Sequence, residues 1–190
     1  MNGRDADAPA TGDPGGVGVG GGSGAGAVLE CDVLVVGSDA AASTAAVTAA
    51  YFGSKIVVAE KAPVFGGTSA WSGGWLWIPH NPLALAAGID EPRGRGVDDL
   101  RSELGPRAGD MRLPAFLANG PEMVRFLEAH GALHWIDGNG VLDFHETAGA
   151  ATGGRLVCAM PYDARALGAW IDKLRPPLDV VSLWDAGIRP

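Results

Sequence analysis

The stretch CDVLVVGSDAAASTAAVTAAYFGSKIVVAE, residues 31–60, decides the fold of this 190-residue chain. It begins with a continuous apolar run, Cys31–Gly37, which is typical of a strand buried on both faces of a parallel sheet. The alanine-rich segment Ala42–Phe52 is long enough for about three helical turns, and Gly53 provides a stop. A second apolar run, Lys55–Glu60, predicts a second buried strand. The order of these elements predicts a βαβ unit and therefore an α/β fold.

The turn between the first strand and the helix is similar to the glycine-rich turn of dinucleotide-binding proteins, with two departures. Gly37 keeps the first glycine, whereas Asp39 and Ala42 stand where the second and third glycines normally lie. A strand, a tight turn and a helix start direct unpaired N–H groups and the helix dipole at one point, which attracts a pyrophosphate. Glu60 follows Ala42 by 18 residues and is placed to accept hydrogen bonds from a ribose. These residues alone favour two interpretations about equally: a Rossmann-like dinucleotide site, and an ordinary βαβ unit without a ligand.

Composition argues against several classes of function. The formal net charge is −8 and the basic residues are scattered, so we expect no nucleic-acid partner. No run of about 18 apolar residues occurs, so we expect no membrane span. No signal peptide is visible. Cys31 and Cys158 are the only cysteines, which predicts no disulfide framework and favours a reducing cytoplasm.

Residues 1–30 differ from the rest of the chain in composition. Ten of the 30 glycines lie between Gly3 and Gly26, and the segment has almost no apolar surface to offset the entropy of ordering. We therefore expect a flexible Gly-rich tail over residues 1–30 and a folded region over residues 31–190.

Five further elements are expected in the folded region. They are a strand at Trp75–Ile78, a helix at Val97–Leu104 stopped by Gly105, a helix that starts at Pro121 and is capped by Gly131, a hairpin that turns at 137–140, and a helix capped by Asp163 and stopped by Pro176. The helix at Pro121 is expected to have an apolar face of Met123, Val124, Phe126 and Leu127. The last helix is expected to carry Leu167, Ile171 and Leu174 on one stripe.

With the following loop KAPVFGGTSAWSGGWLWIPHN, residues 61–81, the chain resembles a known family. Residues 37–74 follow the pattern G-S-G-x-A-G except at Asp39 and Ala42, then E-K near the end of the second strand, then G-G-T/N-S and S/A-G-G. This is similar to the FAD-binding segment of the flavoproteins that include soluble fumarate reductases and 3-ketosteroid Δ1-dehydrogenases. The resemblance continues more weakly to Pro190 and covers the whole folded region. It implies that residues 31–190 are the N-terminal portion of an FAD-binding oxidoreductase domain, with an incomplete sheet and additional helices.

The resemblance implies a set of cofactor-binding residues. In chain order they are Gly37, Ser38, Ala41 and Ala42 at the pyrophosphate turn, Glu60 at the adenosine ribose with Lys61 beside it, Gly66, Gly67, Thr68 and Ser69 around the phosphates and the ribityl chain, and Ser72, Gly73 and Gly74 near the isoalloxazine ring. Asn81 also falls on a family-like position, for which the sequence suggests no role.

The resemblance also implies an activity. In complete enzymes of the family, the flavin transfers hydride at a C–C bond next to a carbonyl, in a small carbonyl-containing or steroid-like substrate. The catalytic groups of the family lie largely beyond the matched part, which is roughly its first third. We therefore assign no catalytic residue, and we expect this chain alone to be incomplete and inactive. Its sheet is expected to leave an uncovered apolar edge.

Three alternatives stay open. The first is a non-catalytic remnant that no longer holds flavin. The second is one chain of a split flavoprotein, whose partner chain completes the sheet. The third is a nicotinamide-binding Rossmann domain. The last is the least favoured, because nothing in that class calls for GGTSAWSGG, residues 66–74.

Asp39 is the departure from the family pattern with the largest physical consequence. A carboxylate about 4 Å from a phosphate costs roughly 1 kcal/mol per unit charge in water-like surroundings, and about 4 kcal/mol at an effective dielectric of 20. We therefore expect a reduced affinity for FAD. Ala42 is an accepted variant, and Ala164 and Asp185 also stand where the family is expected to have glycine.

Other clusters have more ordinary explanations. His130 and His134 have the spacing of a metal-binding pair but no suitable third ligand, so a structural role is favoured and no metal is expected. Cys158 is favoured as a core residue, and the pair Asp163 and Arg165 as part of a helix cap.

Three tryptophans, Trp71, Trp75 and Trp77, allow two interpretations. They are able to stack on a flavin or a steroid-like ligand, but alternation along a strand favours a place in the core.

Overall fold

The computed structural model describes residues 28–178, 182–183 and 186–187. The chain divides into two units, Met1–Glu30 and Cys31–Pro190. The described helices and strands all lie in the second unit. The predicted Gly-rich tail falls almost entirely outside the described residues and stays a prediction.

The first three elements form the predicted βαβ unit. Strand β1 spans Val33–Val36, helix α1 spans Ala40–Tyr51 and strand β2 spans Ile56–Ala59. The two strands are parallel and pair along their whole length. Helix α1 starts two residues before the predicted position, because the Asp39 side chain accepts the N–H of Ala42 and caps the helix.

Two predicted helix stops are confirmed. Gly53 follows α1 with a φ of +85°, and its N–H donates to the carbonyl of Ala50 at 2.9 Å. Helix α3 spans Arg95–Leu104 and ends at Gly105, which has a φ of +51°. Glycine is favoured at both stops because the left-handed region strains any residue with a Cβ.

Among the described residues, the parallel sheet consists of two strands, and one of its apolar faces is exposed. Val35 is buried, whereas Leu34 and Val36, which alternate to the opposite face, are 58% and 79% exposed. Parallel sheets are normally covered on both faces, because their strands carry apolar side chains on each side. The sheet is therefore incomplete within the described chain, as predicted.

A second, antiparallel sheet forms the centre of the remaining structure. Strand β3 spans Trp75–Trp77, β4 spans Trp135–Asp137 and β5 spans Leu156–Ala159, with β5 between the other two. The predicted strand at Trp75 is confirmed. A short antiparallel pair, β6 at Ser182–Leu183 and β7 at Ala186–Gly187, follows near the end of the chain. Asp185 lies outside the described residues.

Helix α4, which spans Arg112–Ala129, begins well before the predicted start at Pro121, so that prediction was wrong. Proline inside a helix removes one backbone hydrogen bond, but its fixed φ suits a helix and Pro121 is buried. The predicted apolar face is confirmed. Val124 and Leu127 are buried in the main core, and Met123 and Phe126 pack against it. The other core residues are Ile78, Trp135 and Val157.

The hairpin predicted at 137–140 is not formed. Strand β4 pairs with β5 instead, and the N–H of Gly138 donates to the carbonyl of Leu156 at 2.8 Å. A Cβ on Gly138 would lie 2.7 Å from both the Leu156 Cβ and the Trp75 ring. Gly138 therefore allows the chain to pack closely against β5, which is distant in the sequence. The turn at 137–140 ends β4, and no strand that pairs with β4 follows it directly.

The continuous helix predicted after Asp163 was also wrong. Asp163 does act as a cap, because its carboxylate accepts the N–H of Arg165 at 3.1 Å. The segment Ala164–Lys173 is a 3₁₀ helix that Gly168 interrupts with a φ of +55°. None of its residues is buried, so the predicted apolar stripe does not face a core in the described chain.

Asn81 has a structural role that the sequence did not suggest. It is fully buried and caps the unpredicted helix α2, Pro82–Ala86, by accepting the N–H of Ala84 at 3.0 Å. Its side-chain amide donates to the carbonyls of Ile78 and Gly154 at 3.0 and 3.1 Å. These bonds join the chain after β3 to the chain before β5.

A buried guanidinium joins three acidic segments. The Arg155 side chain is 1% exposed and forms ion pairs with Glu91 at 2.6 Å, Asp143 at 2.7 Å and Asp99 at 3.0 Å. Burial alone would lower the pKa of Arg155, but the hydrogen bond and charge of Glu91 and the charges of Asp143 and Asp99 outweigh it and raise that pKa. The cluster connects α3, the loop after β4 and the start of β5.

We predict that Arg155→Met lowers the free energy of unfolding by about 3–5 kcal/mol, because it leaves buried carboxylates without their cation. Urea unfolding of the full chain measures this change. The matched control is Arg165→Met, because Arg165 is 89% exposed in its pair with Asp163 and is expected to change stability by at most about 0.5 kcal/mol. Equal effects of the two substitutions would contradict the role given to Arg155.

Candidate cofactor-binding site

The turn between β1 and α1 has the local geometry of a phosphate-binding turn. Gly37 has a φ of +99°, and apart from its two chain neighbours no described residue has an atom within 4 Å of the place where its Cβ would be. The N–H of Gly37 donates to the carbonyl of Ala59 at 2.8 Å, which anchors the turn to the end of β2. The turn is therefore fixed to the sheet and open beside its glycine.

The amide groups at the start of α1 fall into two sets. The Ala42 N–H donates to the Asp39 carboxylate at 2.9 Å, and the Ala40 N–H donates to the Ser69 hydroxyl at 3.0 Å. The N–H groups of Ser38, Asp39 and Ala41 find no acceptor among the described residues. Free amides at a helix start, together with the helix dipole, favour an anion.

Glu60 lies beside this turn, as the βαβ topology predicts. Its carboxylate accepts the hydroxyl of Ser38 and the N–H of Ala62, the latter at 2.8 Å. These bonds lower the pKa of Glu60, and the bond from Ala62 has the larger effect. The carboxylate is held ionised and keeps spare lone pairs for further donors.

The loop after β2 closes onto the turn. Ser38 is buried, and its hydroxyl oxygen accepts the N–H of Gly66 at 3.0 Å. Gly67 has a φ of +55°, and a Cβ on it would lie 2.8 Å from the Asp39 Cβ. Only glycine fits this contact without a shift of the neighbouring chain. Lys61 and Thr68, the other predicted residues of this loop, are exposed.

The last predicted site residues lead from this loop into β3. The Ser72 hydroxyl donates to the carbonyl of Ser69 at 2.9 Å and accepts the N–H of Gly74 at 3.2 Å. Gly73 accepts a weak bond from the Cys158 thiol at 3.6 Å. Cys158 is buried, which raises the pKa of its thiol and makes it a poor nucleophile. The core role predicted for Cys158 is confirmed.

The tryptophans divide between two environments. The Trp77 indole donates to Asp143 at 2.8 Å, and its ring stacks on Phe116, so Trp77 belongs to the folded interior. Trp71 is partly exposed, and its indole donates to the carbonyl of Pro176 at 3.0 Å. Trp75 is also partly exposed. The Arg175 guanidinium lies over the Trp71 ring, with its Cζ 4.8 Å from the ring centroid, so one face of Trp71 is covered.

The two histidines do not converge. The ring of His130 packs against that of Tyr51 with centroids 4.2 Å apart, whereas His134 bonds to Glu128 at 3.0 Å. Among residues 28–178, no group of His, Cys, Asp and Glu side chains is arranged to hold a metal ion. Within the same range, no helix is both long enough and apolar enough to cross a membrane.

A parallel βαβ unit with a glycine turn, free amides and an acid at the end of the second strand defines the dinucleotide-binding class of α/β proteins. A comparison with known families makes this assignment specific. The family described as FAD binding domain matches residues 32–185. The chain therefore belongs to the FAD-binding domain family, and the resemblance stated from its sequence is confirmed.

Individual relatives are redox enzymes. The chain is 38% identical over 168 residues to a 3-oxosteroid 1-dehydrogenase of Mycobacterium tuberculosis, a match that covers 85% of this chain and 30% of the relative. It is 41% identical over 146 residues to a 4-oxocyclohexanecarboxylate 2-dehydrogenase of Sinomonas cyclohexanicum, covering 76% of this chain and 25% of the relative.

One solved structure is similar in fold. It is the crystal structure of 3-ketosteroid Δ1-dehydrogenase from Sterolibacterium denitrificans in complex with 1,4-androstadiene-3,17-dione. The TM-score is 0.73 at 33% identity, and the match covers 82% of this chain and 28% of that one. This chain therefore spans less than a third of the length of the relatives it matches.

We predict that Glu60→Gln destabilises the chain at neutral pH and that this difference shrinks in acid. The folded pKa of Glu60 lies below its ordinary value of 4.5, so its contribution is complete above that value and is lost as the pH falls through the folded pKa. Urea midpoints of both proteins between neutral and strongly acidic pH measure the effect. Glu122→Gln, at an exposed position of α4, is the control. An equal, pH-independent loss in both variants would contradict this account of Glu60.

Proposed function

We propose that this chain binds FAD and forms the cofactor-binding part of a flavin-dependent dehydrogenase. The observation that carries the proposal is the hydrogen-bonded link of Glu60, Ser38 and Gly66 beside the free amides at the start of α1. It brings an acceptor for a ribose and donors for a phosphate to one place, which is what an adenosine diphosphate moiety requires.

The residues present fit the cofactor. Gly37 leaves open space at the turn, and three amides there have no acceptor within the part of the chain that the structure describes. We propose the following positions for FAD: Gly37, Ser38, Ala41 and Ala42 at the pyrophosphate, Glu60 and Lys61 at the adenosine ribose, Gly66, Gly67, Thr68 and Ser69 along the phosphates and ribityl chain, and Ser72, Gly73 and Gly74 near the ring. Of these, Ala42 contributes no free amide while Asp39 caps the helix.

FAD supplies a hydride acceptor when it is bound, and the residues of this chain bind and orient it. The proposed substrate class rests on the three relatives reported above, whose names denote enzymes that act on cyclic ketones. We propose that the substrate is likewise a cyclic ketone, oxidised at a C–C bond next to its carbonyl. The catalytic residues stay unassigned.

We further propose that another polypeptide segment completes the domain. The exposed face of Leu34 and Val36 needs a cover that a two-stranded parallel sheet cannot provide. A partner chain that packs on this face and also pairs with the sheet edge would supply the cover. We propose the cytoplasm as the compartment, since Cys31 and Cys158 are both free thiols.

A second candidate is a remnant that folds without retaining FAD. Two amides at the start of α1 are already satisfied, by Asp39 and by Ser69. When side chains of the same chain accept the amides at the helix start, the fold depends less on a ligand there. FAD titration separates this candidate from the first.

We predict that the full chain binds FAD and that Glu60→Gln weakens this binding by about ten- to a hundredfold. A hydrogen bond to a charged acceptor is worth about 1.5–3 kcal/mol, and the amide replaces a carboxylate that accepts ribose hydroxyls. Flavin fluorescence and calorimetry measure the affinity. Glu122→Gln is expected to bind like the unmodified chain.

Two results would contradict the proposal. One is a folded chain that takes up no flavin at saturating concentrations, which would favour the remnant. The other is equal affinity in the Glu60 and Glu122 variants, which would place the ribose elsewhere. Anaerobic addition of a 3-oxosteroid is expected to leave the bound flavin oxidised. The chain covers less than a third of the related dehydrogenases, and the catalytic groups implied by the family resemblance lie largely beyond the matched part.

A further inference from the structure

The carboxylate of Asp39 already occupies the start of α1 as an anion. The Asp39 side chain points at the helix start, where one carboxylate oxygen accepts the N–H of Ala42 at 2.9 Å. Dinucleotide-binding turns normally have glycine at this position, because the pyrophosphate approaches the backbone closely. The carboxylate therefore lies at the same helix terminus, and interacts with the same dipole, as the expected phosphates.

The neighbouring loop holds the carboxylate there. A Cβ on Gly67 would lie 2.8 Å from the Asp39 Cβ, so the loop backbone packs directly on this side chain. The hydroxyl of Ser69 accepts the N–H of Ala40 at 3.0 Å. Asp39 and Ser69 together satisfy two amides of the helix start and leave those of Ser38, Asp39 and Ala41 for a ligand.

We propose that Asp39 is an internal competitor for the pyrophosphate of FAD, and that its charge rather than its size sets a low, salt-dependent affinity. The inference rests on the proposed FAD function. At about 4 Å, repulsion by one phosphate charge corresponds to about fivefold in affinity in water-like surroundings and about a thousandfold at an effective dielectric of 20. Asp39 is half-buried, which places the effect between these limits.

Two substitutions separate charge from capping. Asparagine caps a helix about as well as aspartate does, so Asp39→Asn removes the charge and keeps the hydrogen bond to Ala42. Asp39→Gly removes the charge, the cap and the contact with Gly67. The first variant is expected to unfold at the same urea concentration as the unmodified chain, and the second slightly earlier.

The test is FAD titration of the full chain, Asp39→Asn, Asp39→Gly and the control Asp163→Asn. Asp163 is also a capping aspartate, but it serves the separate segment Ala164–Lys173. At low salt, Asp39→Asn is expected to bind FAD at least about tenfold more tightly than the unmodified chain. This ratio is expected to shrink as added salt screens the repulsion. Asp163→Asn is expected to leave the affinity unchanged.

The outcomes distinguish this inference from the proposed function. Equal affinity of the unmodified chain and Asp39→Asn would overturn the role of Asp39 and leave FAD binding intact. A gain in Asp39→Gly but not in Asp39→Asn would also overturn it, because bulk would then be the obstacle. Absence of FAD binding in all variants, with circular dichroism showing them folded, would overturn both proposals.

Discussion

The backbone N–H groups at the start of α1 impose the constraint on which the first half of the structure depends. A helix start presents amides that no residue of the helix can satisfy, and here they face the loop after β2. The side chains of Asp39 and Ser69 each accept a hydrogen bond from one of these amides. The Ser38 hydroxyl donates to Glu60 and accepts the N–H of Gly66. The same bonds that satisfy the chain also place a carboxylate, free amides and an open glycine around one point.

The second half depends on a different constraint, the burial of one cation. The Arg155 side chain is almost wholly buried from solvent. Its charge requires the three carboxylates, because an unpaired charge is costly to bury. The cluster fixes α3 and the loop after β4 to β5, and β5 in turn pairs with β3. Since β3 directly follows Gly73 and Gly74, the charged cluster supports the end of the proposed cofactor site through the sheet.

Much of the βαβ unit could be predicted from the sequence because its signals are local. Each strand is a continuous apolar run, and Gly53 ends the helix in the chain itself. The closeness of Ser38 and Glu60 also follows from the topology, since the start of α1 and the end of β2 lie at one edge of a parallel sheet. The capping role of Asp39 could have been found from its place just before the helix.

The errors and omissions arise from contacts between distant residues. The hairpin prediction failed because β4 pairs with a strand about twenty residues further along, for which the turn at Gly138 contains no signal. Pro121 suggested a helix start because proline inside a helix loses a backbone hydrogen bond. The burial of Pro121, which offsets this loss, depends on tertiary contacts that the local sequence does not show. The Arg155 cluster was missed because two of its partners, Glu91 and Asp99, lie more than fifty residues away.

The most direct test of the account is residue-level amide hydrogen exchange in the full chain, with and without saturating FAD. Bound FAD is expected to slow exchange at Ser38, Asp39 and Ala41 and in the loop at Gly66–Ser69. Exchange around the polar cavity lined by His80, Arg95 and Gly154 is predicted to stay unchanged. Protection confined to that cavity, or bound FAD without protection at the turn, would contradict the assignment of the site.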